Sequence, residues 1–181
     1  MKQSIRIIGG QFRGKKLTFP AIDGLRPTPS RVRETLFNWL MHDIRDAHCL
    51  DAFAGSGALG IEAYSRGAAH VTMLEQHPIA YANIQHQVTS FDPLKLDVRQ
   101  VDACFFLQQT QIPFDIIFLD PPFATNHLNV CMDILSARAL LKPQGLVYLE
   151  SANVINVDHS MWEQIKSSHA GQIHFGLYKK R

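Results

Sequence analysis

The stretch Cys49-Leu50-Asp51-Ala52-Phe53-Ala54-Gly55-Ser56-Gly57-Ala58-Leu59-Gly60-Ile61-Glu62-Ala63 reads as a strand, a glycine turn and a helix. Gly55, Gly57 and Gly60 satisfy the G-x-G-x-x-G spacing of a dinucleotide-binding turn, and Glu75 stands 20 positions after Gly55, where an acid for ribose hydroxyls is expected. Asp51 argues against a dinucleotide. It ends the strand beside the place where a pyrophosphate would rest on the helix N-terminus, and a fixed anion there repels phosphate. A ligand with ribose and adenine, no phosphate, and cationic groups at that point is favoured instead. S-adenosylmethionine, with its ammonium and sulfonium, has that chemistry; a glycine turn holding no ligand is the bland alternative.

Outward from this unit the chain keeps alternating. Strands are expected at Cys49–Asp51, His70–Glu75, Asp97–Val101, Phe114–Asp120 and Gly145–Glu150, and helices near Ala58–Arg66, Pro78–Ser90, Ala103–Gln109 and Asn126–Ala139. Repeated strand–helix units imply an α/β fold, Rossmann-like, with a mostly parallel sheet covered by helices on both faces. Pro143-Gln144-Gly145 marks a turn before the fifth of these strands. Near the C-terminus, Gln172–Lys179 reads as a strand that Ala170-Gly171 can fold back antiparallel onto Glu163–Ser168, although a helix in the latter stretch is nearly as well supported. No linker or repeat divides the chain, so 1–181 is expected to be a single domain, with residues 1–25 as an arm within it.

In such a sheet, ligands bind beyond the carboxyl ends of the strands. Asp51, Glu75, Asp102 and Asp120 each stand at or near such an end. Glu75 suits ribose hydroxyls, and Asp102 with the Ala103 backbone suits the adenine amino group, while any one of the four can instead cap the next helix. Asp120 opens Asp120-Pro121-Pro122-Phe123 after the apolar run Phe114–Leu119. Two consecutive prolines end ladder pairing. They leave a carboxylate, a rigid turn with free carbonyls and an aromatic ring at the strand's edge, the set that an amino group on a flat heteroaromatic ring requires.

Residues 1–33 hold eight Lys or Arg against Asp23 alone, a net +7, so the rest of the chain carries −5 of the formal +2. That asymmetry suggests a basic arm facing a polyanion; solvated lysines are the plain alternative. Ser4–Ile8 and Lys15–Phe19 flank a glycine-bounded loop and read as a β-hairpin. Arg6, Arg13, Lys15, Lys16 and Arg26 are candidate phosphate contacts on that polyanion, with Phe12 as a stacking face beside Arg13. Thr28 followed by Pro29 is a helix start. Val32, Leu36, Trp39 and Leu40 form its core face, and Arg31, Thr35, Asn38 and His42 lie on another stripe. Thr28 and Arg31 at the helix start suit a carboxylate, such as that of a methionine moiety, as well as they suit solvent.

Hydrophobic residues at 46% and charged residues at 19% fit a globular α/β protein and exclude a disordered one. No apolar run approaches the roughly 20 residues of a membrane span, and the first ten residues lack the apolar core of a signal peptide. Cys49, Cys104 and Cys131 offer neither a disulfide framework nor metal spacing, and the 9 His are scattered, so reduced thiols, a cytoplasmic location and no metal site are expected.

Arg6-Ile7-Ile8-Gly9-Gly10, Leu25-Arg26-Pro27-Thr28, Arg31-Val32-Arg33-Glu34-Thr35-Leu36-Phe37, the Asp51–Ala63 loop and Asp120-Pro121-Pro122-Phe123 together resemble the bacterial 16S rRNA guanine-N2 methyltransferase family (RsmD-type) over the whole chain. The resemblance implies a seven-stranded class I methyltransferase sheet ending in an antiparallel hairpin. It further implies S-adenosylmethionine as methyl donor and one guanine N2 of small-subunit rRNA as acceptor, within an assembling or assembled ribosomal particle; the enzyme is expected to act as a monomer. Asp120, Pro121, Pro122 and Phe123 match the catalytic tetrapeptide, and Asp51, Gly55, Gly57, Glu75 and Asp102 match cofactor positions. Phe53, in the same turn, joins that set. The loop Ala124-Thr125-Asn126-His127 has no Arg or Lys, unlike some relatives. Three competing readings are weaker. An adenine-N6 DNA methyltransferase would need a separate recognition domain, an NAD oxidoreductase is opposed by Asp51 and lacks a substrate domain, and a non-catalytic RNA-binding module has no use for the tetrapeptide.

Overall fold

The computed structural model describes residues 2–22, 24–123 and 125–181; Met1, Asp23 and Ala124 lie outside it, including the share of the basic-arm and 124–127 loop readings that falls on them. The chain runs β1 (Lys2–Arg6), β2 (Lys16–Pro20), α1 (Ser30–Trp39), β3 (His48–Asp51), α2 (Ala58–Ser65), β4 (His70–Leu74), α3 (Pro78–Val88), β5 (Leu96–Arg99), α4 (Ala103–Gln109), β6 (Phe114–Leu119), α5 (His127–Ala137), β7 (Leu141–Ser151), β8 (Trp162–Ala170) and β9 (Ile173–Lys180). Seven strands form one sheet in the order β5-β4-β3-β6-β7-β9-β8. The five from β5 to β7 are parallel, and β9 and β8 add antiparallel. The mostly parallel sheet and its terminal hairpin agree with the expectation, and Gly171, at φ +61°, makes the turn between β8 and β9.

Strand β6 shows why the sheet forms three layers. Ile116 and Phe118 face the cluster that holds Val32, Leu36 and Phe37 of α1 with Leu59 and Ile61 of α2. Ile117 and Leu119 face the opposite cluster, with Phe106 of α4 and Cys131 and Leu135 of α5. A strand buried on both faces reads as a continuous apolar run. Chain order reverses direction between β3 and β6, so the crevice for a ligand lies at their carboxyl ends.

Strand β7 begins four residues before the expected strand. The turn signal around Gln144 is absorbed as a bulge in register between Phe114/Leu141 and Ile116/Leu146, with Gln144 at φ +68°. Helix α1 also departs from expectation: Pro29 occupies the capping position without a side-chain cap, and Thr28 is committed elsewhere.

The hairpin β1–β2 is antiparallel, and its loop is fixed to α2. The backbone N–H groups of Ile8 and Gly9 donate to the two carboxylate oxygens of Glu62 at 2.9 and 2.8 Å, and Gln11 N–H donates to Ser65 O at 2.7 Å. Gly10 sits at φ +76°, where an added Cβ would lie 1.8 Å from Ser65 O, so only glycine permits this approach. Arg33, counted within the basic segment, is fully buried instead; its guanidinium pairs with Glu62 at 3.3 Å and also reaches Arg6 O and Thr28 O. It therefore adds no charge to the surface. Phe12, expected as a stacking face for a base, stacks on Tyr64 at 5.5 Å and meets Phe91 edge-on at 4.9 Å. Lys15 lies 3.9 Å from the Phe91 ring centroid and donates to Ser90 O, so it too is engaged within the protein. Arg6, Arg13, Lys16, Arg26 and Arg31 remain exposed.

Candidate active site

Five carboxylates gather at the carboxyl edge of the parallel strands. Asp51 is the last residue of β3 and is 1% exposed. Its Oδ2 accepts from Gly60 N–H at 2.8 Å, an approach possible because Gly60 has no side chain: a Cβ there would come within 2.6 Å of Met73. Glu75 follows β4. Its Oε2 accepts from Gly55 N–H at 2.8 Å and its Oε1 from His77 N–H at 2.7 Å, so one acid ties the glycine turn to the start of α3. Gly55 and Gly57 both adopt positive φ, at +54° and +80°. Phe53 lies in the same turn, its ring 5.8 Å from that of His127.

Asp120 follows β6. Its Oδ2 accepts from Thr28 Oγ1–H at 3.0 Å, across 92 residues of sequence. This bond joins the lead-in to α1 with the head of Asp120-Pro121-Pro122-Phe123. The Phe123 ring is 49% exposed, available for stacking. Arg31, three residues after Thr28, is exposed on α1.

Glu150, on β7, also belongs to this edge, and sequence reasoning did not select it. Leu119 of β6 and Leu149 of β7 are register partners, so Asp120 and Glu150 follow at one level of neighbouring parallel strands. Glu150 is 2% exposed and accepts from the Tyr148 hydroxyl at 2.7 Å. The usable signal was an acid closing a predicted strand, the same one that singled out Asp51 and Asp120.

Asp102 opens α4. Its Oδ1 accepts from Phe105 N–H at 2.8 Å and so caps α4, as the bland alternative held. Its other oxygen has no partner among the described residues, and the buried Ala103 opens the helix beside it.

The electrostatics of the edge are one-sided. Burial pushes the Asp51 carboxyl up to about 7, with Asp120 and Glu75 adding to the rise against the amides of Gly60 and Phe53. Burial likewise raises Asp120 to about 6, opposed by Thr28, and Glu150 to about 8, with Asp120 contributing. None of the ion pairs among the described residues involves these acids or Glu75. Buried carboxyls without counter-cations favour a ligand that brings positive charge. Hydroxyl acceptors at Glu75, a glycine turn, and this unbalanced edge fit S-adenosylmethionine and oppose a phosphate-bearing dinucleotide. The described residues contain no cluster of three His, Cys, Asp or Glu suited to a metal, and no helix long and apolar enough to cross a membrane.

The geometry has close counterparts among known proteins. Residues 5–179 match the family model described as conserved hypothetical protein 95. The chain is 42% identical over 178 residues to ribosomal RNA small subunit methyltransferase D of Escherichia coli, covering 97% of this chain and 90% of that protein. A solved Escherichia coli chain, yhhF, superposes with a TM-score of 0.89 at 41% identity, covering 99% of each chain. A Thermus thermophilus 16S rRNA methyltransferase that acts at a guanine N2, solved with AdoMet and guanosine, shares the fold with a TM-score of 0.73 at 21% identity, over 100% of this chain and 50% of its own length.

Proposed function

From a chain that belongs to the ribosomal RNA small subunit methyltransferase D family, we infer an enzyme that transfers a methyl group from S-adenosylmethionine to the exocyclic N2 of one guanine in 16S rRNA. The observation that carries this reading is the pairing of a carboxyl edge lacking counter-cations with an acceptor-and-ring tetrapeptide at the reversal point of the sheet. Glu75 would hold ribose hydroxyls, Asp102 and the Ala103 backbone the adenine, and Asp51 with the glycine turn the cationic methionine end. Arg31 would meet its carboxylate, while the Thr28 hydroxyl, expected to share that task, donates to Asp120 instead. S-adenosylmethionine supplies a methyl group already activated on a sulfonium.

The protein's own task is alignment and charge. Guanine's exocyclic nitrogen is a weak nucleophile because its lone pair is delocalised into the ring. Asp120 and the Pro121 carbonyl accept its two hydrogens, localise the pair and aim it. Holding the nitrogen in line supplies much of the rate, and the Asp120 carboxylate stabilises positive charge as it develops there. Thr28 fixes the Asp120 carboxylate through Oδ2 and leaves Oδ1 for the base. Pro122 stiffens the turn, and Phe123 stacks on a base taken out of its own stack.

The cofactor assignment is checked by calorimetry. S-adenosylmethionine should bind and NAD should not, and Glu75→Ala should weaken binding by roughly 1.5–3 kcal/mol through lost charge-assisted hydrogen bonds. Affinity should rise with pH through about 7, because a cationic ligand favours the ionised Asp51 carboxyl. NAD binding, or an unchanged Glu75→Ala affinity, would overturn it. Mapping the methylated nucleotide in rRNA from cells with and without the protein tests the substrate.

The exposed basic residues of the first 33 support RNA docking, in an assembling or assembled small subunit. The three free thiols suit the cytoplasm, and one chain supplies every proposed contact, which supports a monomer. Because Lys15 and Phe12 are engaged internally, Arg13, Lys16 and Arg26 are the residues to test. Replacing these three by Ala should weaken RNA binding and lower the log-affinity against log-salt slope by roughly 0.7 per lost single-strand phosphate contact. Cofactor affinity should be unchanged. An unaltered salt slope would reassign this surface as solvated.

A further inference from the structure

A cavity of about 420 Å³ opens between α5 and the segment after β7, on the sheet face opposite the Asp51 and Thr28 side. Its walls include Phe123 and Val154, which are 49% and 67% exposed, large apolar groups that the fold does not bury. Polar edges come from the amide side chains of Asn129, Asn153 and Asn156. Residues 154–157 belong to no helix or strand, and among the described residues their backbone N–H groups donate to no partner. Among the described residues no Lys or Arg lines the cavity, whereas Asp133 and Asp158 do.

These features select a ligand class. Two exposed apolar surfaces suit a flat ring, since stacking on such faces tolerates any base. Amide side chains and free backbone N–H groups suit the mixed donors and acceptors of a base edge. The absence of cations, with two carboxylates present, rejects a phosphate inside. Asp120 and Pro121 are not among the lining residues, so a base seated here is not the one whose amino group they would hold. Phe123 belongs to both places. We propose that this cavity receives a second, unpaired nucleobase of the RNA strand, the immediate neighbour of the methylated nucleotide, and thereby sets the sequence context in which the enzyme acts. The proposal rests on the reading of Asp120–Phe123 as the methylation centre.

The test uses the full chain and small-subunit particles from cells lacking the modification, after the methylated nucleotide is mapped. A photoreactive thio-substituted base is placed on either side of it. On one side, irradiation should join the base to peptides containing residues 125–136 or 153–158. The double variant Val154→Ala, Asn156→Ala, at exposed positions, should lower that yield and reduce kcat/KM by about tenfold or more, with S-adenosylmethionine affinity and melting temperature unchanged. It should also narrow the rate differences among particles carrying each of the four nucleotides at that flank. Cross-links confined to other surfaces, or a double variant that keeps its yield and its flank discrimination, would overturn the proposal. A mapped site other than a guanine N2 would refute the proposed reaction, while the cross-link would still report on the cavity.

Discussion

Asp120→Ala is expected to lower the rate of methyl transfer by about 10²–10³-fold, in the range found when a preorganised group facing developing charge is removed. Affinity for S-adenosylmethionine should be nearly unchanged, because in the proposed mechanism this acceptor serves the target amine. Asp120→Asn keeps an oxygen acceptor and loses the charge, so it should retain more activity than Ala. The two variants also separate in their pH dependence. The carboxylate is the working form, so wild-type activity falls as pH drops through the pKa of Asp120, near 6 in the free protein. With saturating S-adenosylmethionine the added positive charge moves that limb to lower pH. In Asp120→Asn the limb should vanish. Stopped-time methylation assays across pH 4.5–8 check all three statements, and near-wild-type turnover in Asp120→Ala would remove Asp120 from the mechanism.

Glu62→Ala should cost about 3–5 kcal/mol of folding stability, the range for removing one partner from a buried ion pair. Glu62 is fully buried and accepts from Ile8 N–H, Gly9 N–H, Arg33 and Arg66. Its loss strands the buried Arg33 guanidinium and two amides at once. Glu62→Gln retains one acceptor and should cost less. Urea titration measures both, and equal stability of wild type and Glu62→Ala would show that the hairpin is not anchored through this residue. Deleting the hairpin would therefore report on stability as much as on RNA binding, whereas surface charge changes at Arg13 and Lys16 isolate the latter.

The parallel core was legible because its signals are local and repeated. Apolar runs such as Phe114–Leu119 bounded by prolines, and glycine turns such as Gly55–Gly57, define strand ends with little help from distant residues. The four acids at strand ends followed from the same reading. What escaped the sequence was set by partners far along the chain. Thr28 has every property of a helix cap, yet its hydroxyl serves Asp120. Arg33 looks like one more surface cation until Glu62 appears opposite it. Phe12 beside Arg13 suggests a base-stacking loop, and only the approach of Gly10 to α2 brings Tyr64 and Phe91 onto its ring. Glu150 closed a predicted strand as Asp51 and Asp120 did, but no glycine turn or proline tetrapeptide came after it to draw attention to it.

The unbalanced carboxyl edge has a consequence for how the protein tells fresh methyl donor from spent. The two ligands share ribose, adenine and amino acid, and differ by a methyl group and by the charge on sulfur. Asp51 and Glu150 are buried, so salt screens their field weakly. They should hold the sulfonium form more tightly than the uncharged thioether, and this preference should shrink as pH falls through about 8 and 7 and the acids protonate. Product would then leave because the edge no longer sees a cation, with no moving lid required, and the enzyme's readiness for another cycle would be written into the charge of two side chains.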